Sequence, residues 1–489
     1  MTGPGAHLPD IAWAMLNSAL GLYRDNPRAT GWLRHHRERF EEPLRVAVAG
    51  PRGVGKSTLV NALVGEEIAP VGLPGHQAVT WFQDAAEPRA TVYPPHGQAG
   101  EAPIGRIDAK LQVDLREWRP DQLGQVVIDV PTRALRDLVL IDNPALPTDE
   151  DQGEALDRIT RQSDAVLYVG RHGDAEDLAV MRAATDNPVS RAAPVNLVLV
   201  LARADEIGGG RIDALTSARQ IARRYRGDVN VRGACQDVIA IAGLIAQAGR
   251  TMRENEFAAL AKLSAVDRTV LDDALLSAER FTAAEVPIGL SQPDRHYLFD
   301  RLGLFGLRLT TTLLRRGYDS QITLSAQLVQ RSGLRDLREA IAQSFVERRE
   351  VLKARSALLG LDTVLRSDPR PEARKLALDL ERALANAHDF RELRLLATLR
   401  AGRLKLPEEL AEEAHRLIGG QGVSLPARLN LDEAAAGGGE LNQAIIAALS
   451  RWRRAAENPL LSADQRRAAQ IVVRSCEGMI SQLHPGMTG

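Results

Sequence analysis

The stretch that decides the fold is Gly50-Pro51-Arg52-Gly53-Val54-Gly55-Lys56-Ser57, which fits the pattern GxxxxGK followed by Ser or Thr in full. A short run with β-branched residues, Arg45 to Ala49, precedes it and predicts a strand, and Thr58 to Leu63 predicts a helix after it. In such a loop the backbone amides converge on phosphate oxygens, and the amino end of the helix adds partial positive charge. The sequence therefore predicts a nucleotide-phosphate site. The plainer alternative is an ordinary strand-to-helix turn.

Two side chains of this phosphate loop have predicted roles of their own. Lys56 is expected to neutralise the β- and γ-phosphates, as a candidate catalytic residue, and Ser57 to hold Mg²⁺. The glycines permit the close approach of backbone to ligand. The predicted nucleotide contacts in this segment are Gly50, Gly53, Val54, Gly55, Lys56, Ser57 and Thr58.

A second apolar strand ends in a carboxylate. The run Arg136 to Asp142 is followed by Asn143-Pro144-Ala145, at the position of the Walker B and DxxG elements of GTPases. Asp142 is predicted to accept a hydrogen bond from a Mg²⁺-bound water, and the amide of Ala145 to contact the γ-phosphate. Alanine replaces the usual glycine there and lacks its torsional freedom. The alternative is a strand that ends in a turn.

A third strand, Val198 to Leu201, leads into Ala202-Arg203-Ala204-Asp205, where GTPases carry NKxD. The Asp205 carboxylate is placed to pair with the two adjacent N–H donors of guanine, and Arg203 takes the place of the lysine that lies along the base. Ala242 lies in the run that precedes the loop packing on guanine. A surface Arg–Asp pair is the alternative for Arg203 and Asp205.

Thr80 is the candidate for completing Mg²⁺ coordination and is included among the catalytic residues. It ends a polar loop that begins at Gly75 and precedes a strand starting near Trp81. A threonine at this place in a GTPase belongs to the first switch segment. An ordinary strand threonine is the alternative.

Composition limits the classes of protein that fit. The chain has 489 residues, with 62 basic and 63 acidic side chains, so its net charge of −1 gives no general attraction to nucleic acid. The 44% of hydrophobic residues exclude global disorder. Cys235 and Cys476 lie far apart without a CxxC pair, which favours a reducing cytoplasm over a disulfide framework. No apolar stretch approaches the ~20 residues of a spanning helix.

The order of elements predicts the fold class. Apolar runs alternate with helical segments up to about Gln247, which indicates an α/β P-loop domain with a mostly parallel sheet flanked by helices. After that point strand patterns disappear and helical periodicity takes over. We expect N-terminal helices at 1–43, a GTPase domain at 44–248 and an all-α helical neck or stalk bundle at 249–489.

Together, these motifs and the helical second half resemble those of the bacterial dynamin-like GTPases. More narrowly, the string ARADEIGGGRIDAL at 202–215 is similar to the actinobacterial branch that includes the mycobacterial isoniazid-inducible proteins. The resemblance implies a GTPase head on a helical neck and stalk, with GTP and GDP as ligands and Mg²⁺ as cofactor. It also implies assembly, as a homo-oligomer or with a second dynamin-like protein, and work at inner-leaflet lipid of the cell membrane from the cytoplasmic side.

The chain departs from that pattern in the phosphate loop. Arg52 and Gly53 stand where eukaryotic dynamins place a glutamine and a serine, and neither can orient water in the same way. Arg52 is a candidate catalytic cation on the transferring phosphate, with a solvent-exposed arginine as the alternative. With Ala145 and Ala202, these changes indicate slow or assembly-dependent hydrolysis. Three functions stay open: a GTPase, a GTP-binding switch or partner subunit with little hydrolysis, and a P-loop ATPase.

Overall fold

The computed structural model describes residues 8–71, 78–107, 110–119, 122–147, 151–171, 175–184, 196–211, 213–232, 234–283, 287–400, 404–432 and 437–484. Within these ranges the strands are β1 (Leu44–Ala49), β2 (Ile68–Val71), β3 (Val79–Asp84), β4 (Arg89–Tyr93), β5 (Gly100–Ala102), β6 (Ile104–Ile107), β7 (Lys110–Asp114), β8 (Gln125–Val130), β9 (Leu138–Asp142), β10 (Ala165–Gly170), β11 (Leu197–Leu201) and β12 (Asp237–Ala240).

Helices flank these strands and fill the described part of the chain after residue 242. They are α1 (Leu8–Leu22), α2 (Pro27–Glu38), α3 (Lys56–Val64), α4 (Gln152–Gln162), α5 (Ala175–Ala184), α6 (Ala214–Gly227), α7 (Val229–Arg232), α8 (Gly243–Thr251), α9 (Glu254–Ala265), α10 (Arg268–Ala274), α11 (Ala278–Thr282), α12 (Gln292–Arg315), α13 (Gln321–Ser332), α14 (Leu334–Ile341), α15 (Arg349–Ser367), α16 (Arg374–Asn386), α17 (His388–Arg400), α18 (Glu408–Leu417), α19 (Leu425–Leu429), α20 (Gly438–Glu457) and α21 (Ala463–Leu483).

The main sheet has the strand order β12-β11-β10-β1-β9-β3-β8-β4-β5. From β12 to β9 every neighbouring pair is parallel, whereas β3 runs antiparallel to β9. Every residue of β1, β10 and β11 is buried, as expected for parallel strands covered on both faces. The sheet and the helical remainder confirm the predicted fold class.

A smaller sheet with the order β2-β7-β6 lies beside the main one. Its link to the helical region is a buried ion cluster around Glu67, whose side chain is 5% exposed. Arg301 of α12 pairs with Glu67, and Lys110 of β7 lies 3.1 Å from it. Burial by itself raises the pKa of Glu67, but Arg301 and Lys110 outweigh it and the pKa is lowered. The carboxylate is therefore charged and joins three elements.

The N-terminal helices pack against helices from the distant second half of the chain. Helices α1 and α2 both contact α15, and α1 also contacts α16. The Tyr23 hydroxyl donates to the Asp368 carbonyl at 2.8 Å, and Trp32 Nε1 donates to the Gly360 carbonyl at 3.2 Å. A Cβ on Gly360 would lie 2.4 Å from the His36 ring, so only glycine allows this approach. The domain limits at 43/44 and 248/249 stay predictions.

The last five helices enclose a separate hydrophobic core, in which Trp452 is 1% exposed. Trp452 Nε1 donates to Glu413 at 3.1 Å, so the buried indole keeps a hydrogen-bond partner. Among the helices of the described ranges, none combines the length and apolar character needed to cross a bilayer.

Candidate functional site

The phosphate loop is built from three glycines with left-handed backbone geometry. Gly50, Gly53 and Gly55 have φ values of 149°, 76° and 100°. A Cβ on Gly50 would lie 2.2 Å from the Val169 carbonyl oxygen, whereas one on Gly53 or Gly55 would meet nothing within 4 Å. The loop therefore packs tightly against β10 at its base and is open above Gly53 and Gly55, where a ligand would approach.

Helix α3 begins at Lys56, and no side chain caps its amino end. The N-cap residue Gly55 has no side chain that could compete for the first N–H groups, which suits a helix that binds an anion. The side chain of Val54, within the loop, is buried. Thr58, in the first turn of α3, faces Gly243. This geometry fits a phosphate group.

Lys56 is folded back onto the loop. Its Nζ donates to the carbonyls of Gly50 and Pro51, at 2.9 Å each. Burial lowers the pKa of Lys56, and the Asp142 carboxylate opposes that effect. The ammonium group is thus held by the loop that would surround the phosphates.

The three predicted metal ligands come from three different elements. The Ser57 hydroxyl donates to Asp142 Oδ2 at 3.0 Å. Thr80 of β3 lies directly opposite Asp142 of β9 in their antiparallel pair. Side chains in such a pair lie on the same face of the sheet. A hydroxyl, a carboxylate and a second hydroxyl therefore share one location.

These oxygen donors are the ligands that Mg²⁺ prefers in proteins. The donor set fits the ion expected from the phosphate loop. Within the described ranges, no group of three or more His, Cys, Asp or Glu side chains offers a competing metal site.

The chain after Asp142 is hydrogen-bonded to β1 and to the phosphate loop. The Asn143 N–H and side-chain amide both donate to the Val48 carbonyl at 3.2 Å, and the Leu146 N–H donates to the Gly50 carbonyl at 3.1 Å. Ala145 lies between these two anchor points. The structure therefore brings Ala145 beside the phosphate loop.

Arg203 reaches across from the end of β11 to the phosphate loop. Its φ of 52° is left-handed, and its guanidinium donates to the Gly53 carbonyl at 2.6 Å. Glu206 accepts a second bond from Arg203 at 2.6 Å and one from Arg171, also at 2.6 Å. Arg203 thus links the expected base-recognition segment to the loop.

Asp205 and Ala242 lie on two adjacent segments at the carboxyl ends of β11 and β12. The segments are joined by the Ala204 N–H, which donates to the Ile241 carbonyl at 3.1 Å. Asp205 is 7% exposed, and burial raises its pKa. Two N–H donors on a ligand would stabilise its charged form. Ala242 is fully buried, and its N–H donates to the Ser332 carbonyl at 2.9 Å.

Arg52 is exposed on the outer side of the phosphate loop. Among the described residues, none forms a hydrogen bond or ion pair with its guanidinium. The catalytic role assigned to it stays a prediction. Ala202 is buried at the end of β11.

Arg171 and Glu206 belong to this site, although the sequence motifs do not include them. Arg171 directly follows Gly170, the last residue of β10. The carboxyl ends of parallel strands meet at one edge of a sheet, where ligands bind. The position of Arg171 directly after a buried strand could therefore have indicated that it belongs to the site. For Glu206 the corresponding indication is that it directly follows Asp205.

No protein-family model matches the chain. Two solved structures, both described as an oligomerised bacterial dynamin pair that provides a mechanism for the long-range sensing and tethering of membranes, align with 97% and 98% of it and with 74% and 76% of their own chains. Their identities are 14% and 13% and their TM-scores 0.32 and 0.30, too low to bear on function.

Two curated sequences, both the isoniazid-induced protein IniC from strains of Mycobacterium tuberculosis, are 36% identical to this chain. The alignments cover 97% of this chain and 98% of each relative. The predicted resemblance of the chain to the mycobacterial isoniazid-inducible proteins is confirmed. The chain therefore belongs to the family of the isoniazid-induced protein IniC.

Proposed function

We propose that this protein binds GTP together with Mg²⁺ and hydrolyses it to GDP and phosphate. The observation that carries the proposal is the meeting of Ser57 and Asp142, 3.0 Å apart, at the start of a helix that follows an open glycine loop. Thr80 lies opposite on the next strand. This combination fits a metal-bound polyphosphate better than a plain turn.

The residues of the site divide the work between phosphate and base. The loop amides and Lys56 bind and orient the phosphates, and Asp205 accepts the two adjacent N–H donors of guanine. Ser57, Asp142 and Thr80 would hold Mg²⁺, which supplies charge neutralisation on the phosphate oxygens. Arg203 fixes the separation of base and phosphate sites through Gly53.

Slow turnover and assembly belong to the same proposal. Arg52 and Gly53 are both exposed on the loop. A second molecule that covered this face would exclude water and place Arg52 near the transferring phosphate. By its motifs and family we infer a dynamin-like protein that acts as an oligomer, alone or with a related partner, at the inner face of the cell membrane. A GTP-binding switch with little turnover is the second candidate, favoured by Ala145.

Replacing Asp205 by asparagine tests which base is bound. We expect GTP affinity to fall about a hundredfold, because the amide presents a donor to a donor of guanine. Xanthosine triphosphate, which carries an acceptor in place of the 2-amino group, should then bind better than GTP. Isothermal titration with GTP, ATP and xanthosine triphosphate measures the ranking. An unchanged preference for GTP in the folded variant would contradict the assignment, and preference of the wild type for ATP would favour a P-loop ATPase.

Arg203→Ala is expected to weaken GTP binding about tenfold, because it removes a charged hydrogen bond to the Gly53 carbonyl. Arg203→Lys should recover part of the loss. The matched control is Arg171→Ala, which removes the other cation bound to Glu206 without altering any bond to the loop. Equal effects of the two alanine variants would show that the contact with Gly53 is unimportant.

A further inference from the structure

A second cavity lies on the main sheet, away from the proposed nucleotide site. Its volume is about 430 Å³, and its inner wall is formed by apolar side chains of β1, α3, β9 and α14, among them Val46, Leu63, Leu140 and Ile341. That size is within the range of small-molecule sites. Val46 is four residues before Gly50, about 13 Å along an extended strand. The cavity is thus a separate site.

Three arginines, Arg133, Arg250 and Arg338, also line the cavity. Arg133 and Arg250 are exposed, and Arg338 is half-buried. Within the described ranges, no carboxylate lies within salt-bridge distance of any of them. An apolar interior with unpaired cations at its opening is complementary to a chain with an anionic head.

Two of these arginines, Arg250 and Arg338, contact the carboxyl end of α3 or the residue that follows it. Arg338 donates to the carbonyls of Ala62 and Leu63, at 3.4 and 2.9 Å, in the last turn of that helix. Burial lowers the pKa of Arg338 to about 10, and Arg250 adds to the effect. A Cβ on Gly65, the residue that follows α3, would lie 2.3 Å from a guanidinium nitrogen of Arg250. Main-chain carbonyls thus orient Arg338, and no carboxylate of the described residues balances its charge.

The wall opposite the sheet is irregular. After α14 the chain forms a π-helical turn, Ala342–Val346, and both end residues of that turn line the cavity. Such turns are rare in proteins, but those that occur are often found at functional sites. Phe345, within the same turn, is fully buried.

We propose that this cavity binds a single-chain anionic amphiphile, with its acyl chain against Leu63, Ile341 and Val346 and its carboxylate or phosphate head on Arg250 and Arg338. The head exchanges water for charged hydrogen bonds to guanidinium groups. These apolar side chains remove the acyl chain from water. Free fatty acid and lysophospholipid share this chemistry.

The test is titration of the full-length protein with dodecanoate, with dodecanol as the uncharged analogue. We expect saturable one-to-one binding of dodecanoate, at least tenfold tighter than dodecanol. Arg250→Gln should weaken binding about tenfold, and Ala342→Phe should abolish it by filling the rim. The matched control is Arg335→Gln, which removes the same charge from an exposed position of α14, the helix that carries Arg338.

A parallel titration with lysophosphatidylglycerol separates the two sources of the ligand. Loss of lysophosphatidylglycerol binding in Arg250→Gln and Ala342→Phe, but not in Arg335→Gln, would assign the cavity to lysophospholipid, and the same pattern with dodecanoate alone would assign it to free fatty acid. Either pattern supports the proposal. Failure of folded wild-type protein to bind both probes, or equal affinity in Ala342→Phe, would overturn it.

Discussion

Replacing Lys56 by alanine should lower GTP hydrolysis by a factor on the order of 10²–10³. The phosphate loop itself holds the ammonium group in place, through the carbonyls of Gly50 and Pro51. In the proposed complex it moves little to reach the phosphates. Phosphate release from GTP with Mg²⁺, measured with and without anionic liposomes, gives the rate. Wild-type binding of GTP without release would favour the switch over the enzyme.

Lys353→Ala is the matched control for Lys56→Ala. Lys353 is also a buried lysine that donates to two main-chain carbonyls, those of Phe40 and Glu42, but it lies on α15. Burial lowers the pKa of both lysines. We expect Lys353→Ala to lower stability and to retain GTP turnover. If both variants lose turnover equally while folded, the effect of Lys56 is structural and the phosphate role is wrong.

Replacing Glu392 by leucine should destabilise the C-terminal helices by about 3–5 kcal/mol, because two buried arginines then lose their counter-ion. Glu392 is 4% exposed on α17. Arg428 pairs with one oxygen, and Arg348 lies 3.8 Å from the other. The same arginines donate to the carbonyls of Leu417 and Ile418, at 2.7 and 2.6 Å. One carboxylate therefore supports the junction of α17, α18 and α19.

Hydrogen exchange in peptides from α17 and α20 measures this loss as the free energy of local opening. The control is Asp379→Ala on α16, which removes an exposed pair with Arg382 at 3.3 Å and should cost about 0.2–1 kcal/mol. A loss below about 1 kcal/mol for Glu392→Leu would contradict the role of the buried pair.

Acid should have a related effect on the same helices. Burial alone raises the pKa of Glu392, but Arg428, His388 and Arg348 outweigh it and lower the pKa to about 2. The folded state therefore binds the proton more weakly than the unfolded chain does. The contribution to stability is complete above the ordinary glutamate value of 4.5 and is lost as the pH falls towards about 2. Thermal melting of wild type and Glu392→Leu between pH 7 and pH 3 should thus converge on acidification.

The phosphate loop and the parallel strands were predictable because their patterns are local. A glycine pattern between strand and helix specifies its own backbone, and buried parallel strands appear as continuous apolar runs. The approach of Ser57 to Asp142 follows from the sheet order, in which β1 and β9 are neighbours. The glycine pattern and the apolar runs do not depend on distant parts of the chain.

Other features were not predictable. Strands β2, β4, β5, β6 and β7 have three to five residues each, too few to show a period. The contact of Arg203 with Gly53 depends on a left-handed backbone at a non-glycine residue, which the local pattern does not indicate. The three arginines of the second cavity come from segments far apart in sequence. Only the tertiary fold brings them together.

The packing of α1 and α2 on α15 has a consequence for synthesis of the chain. Tyr23 and its acceptor Asp368 are 345 residues apart. At about 5–20 residues per second, the ribosome needs on the order of 20–70 s to make the intervening segment. During that interval Leu16 and Tyr23, both fully buried in the finished protein, lack the surface that α15 and α16 later provide. The nascent chain therefore exposes an apolar amphipathic helix for most of its translation, and chaperones that hold such helices should determine how much protein folds.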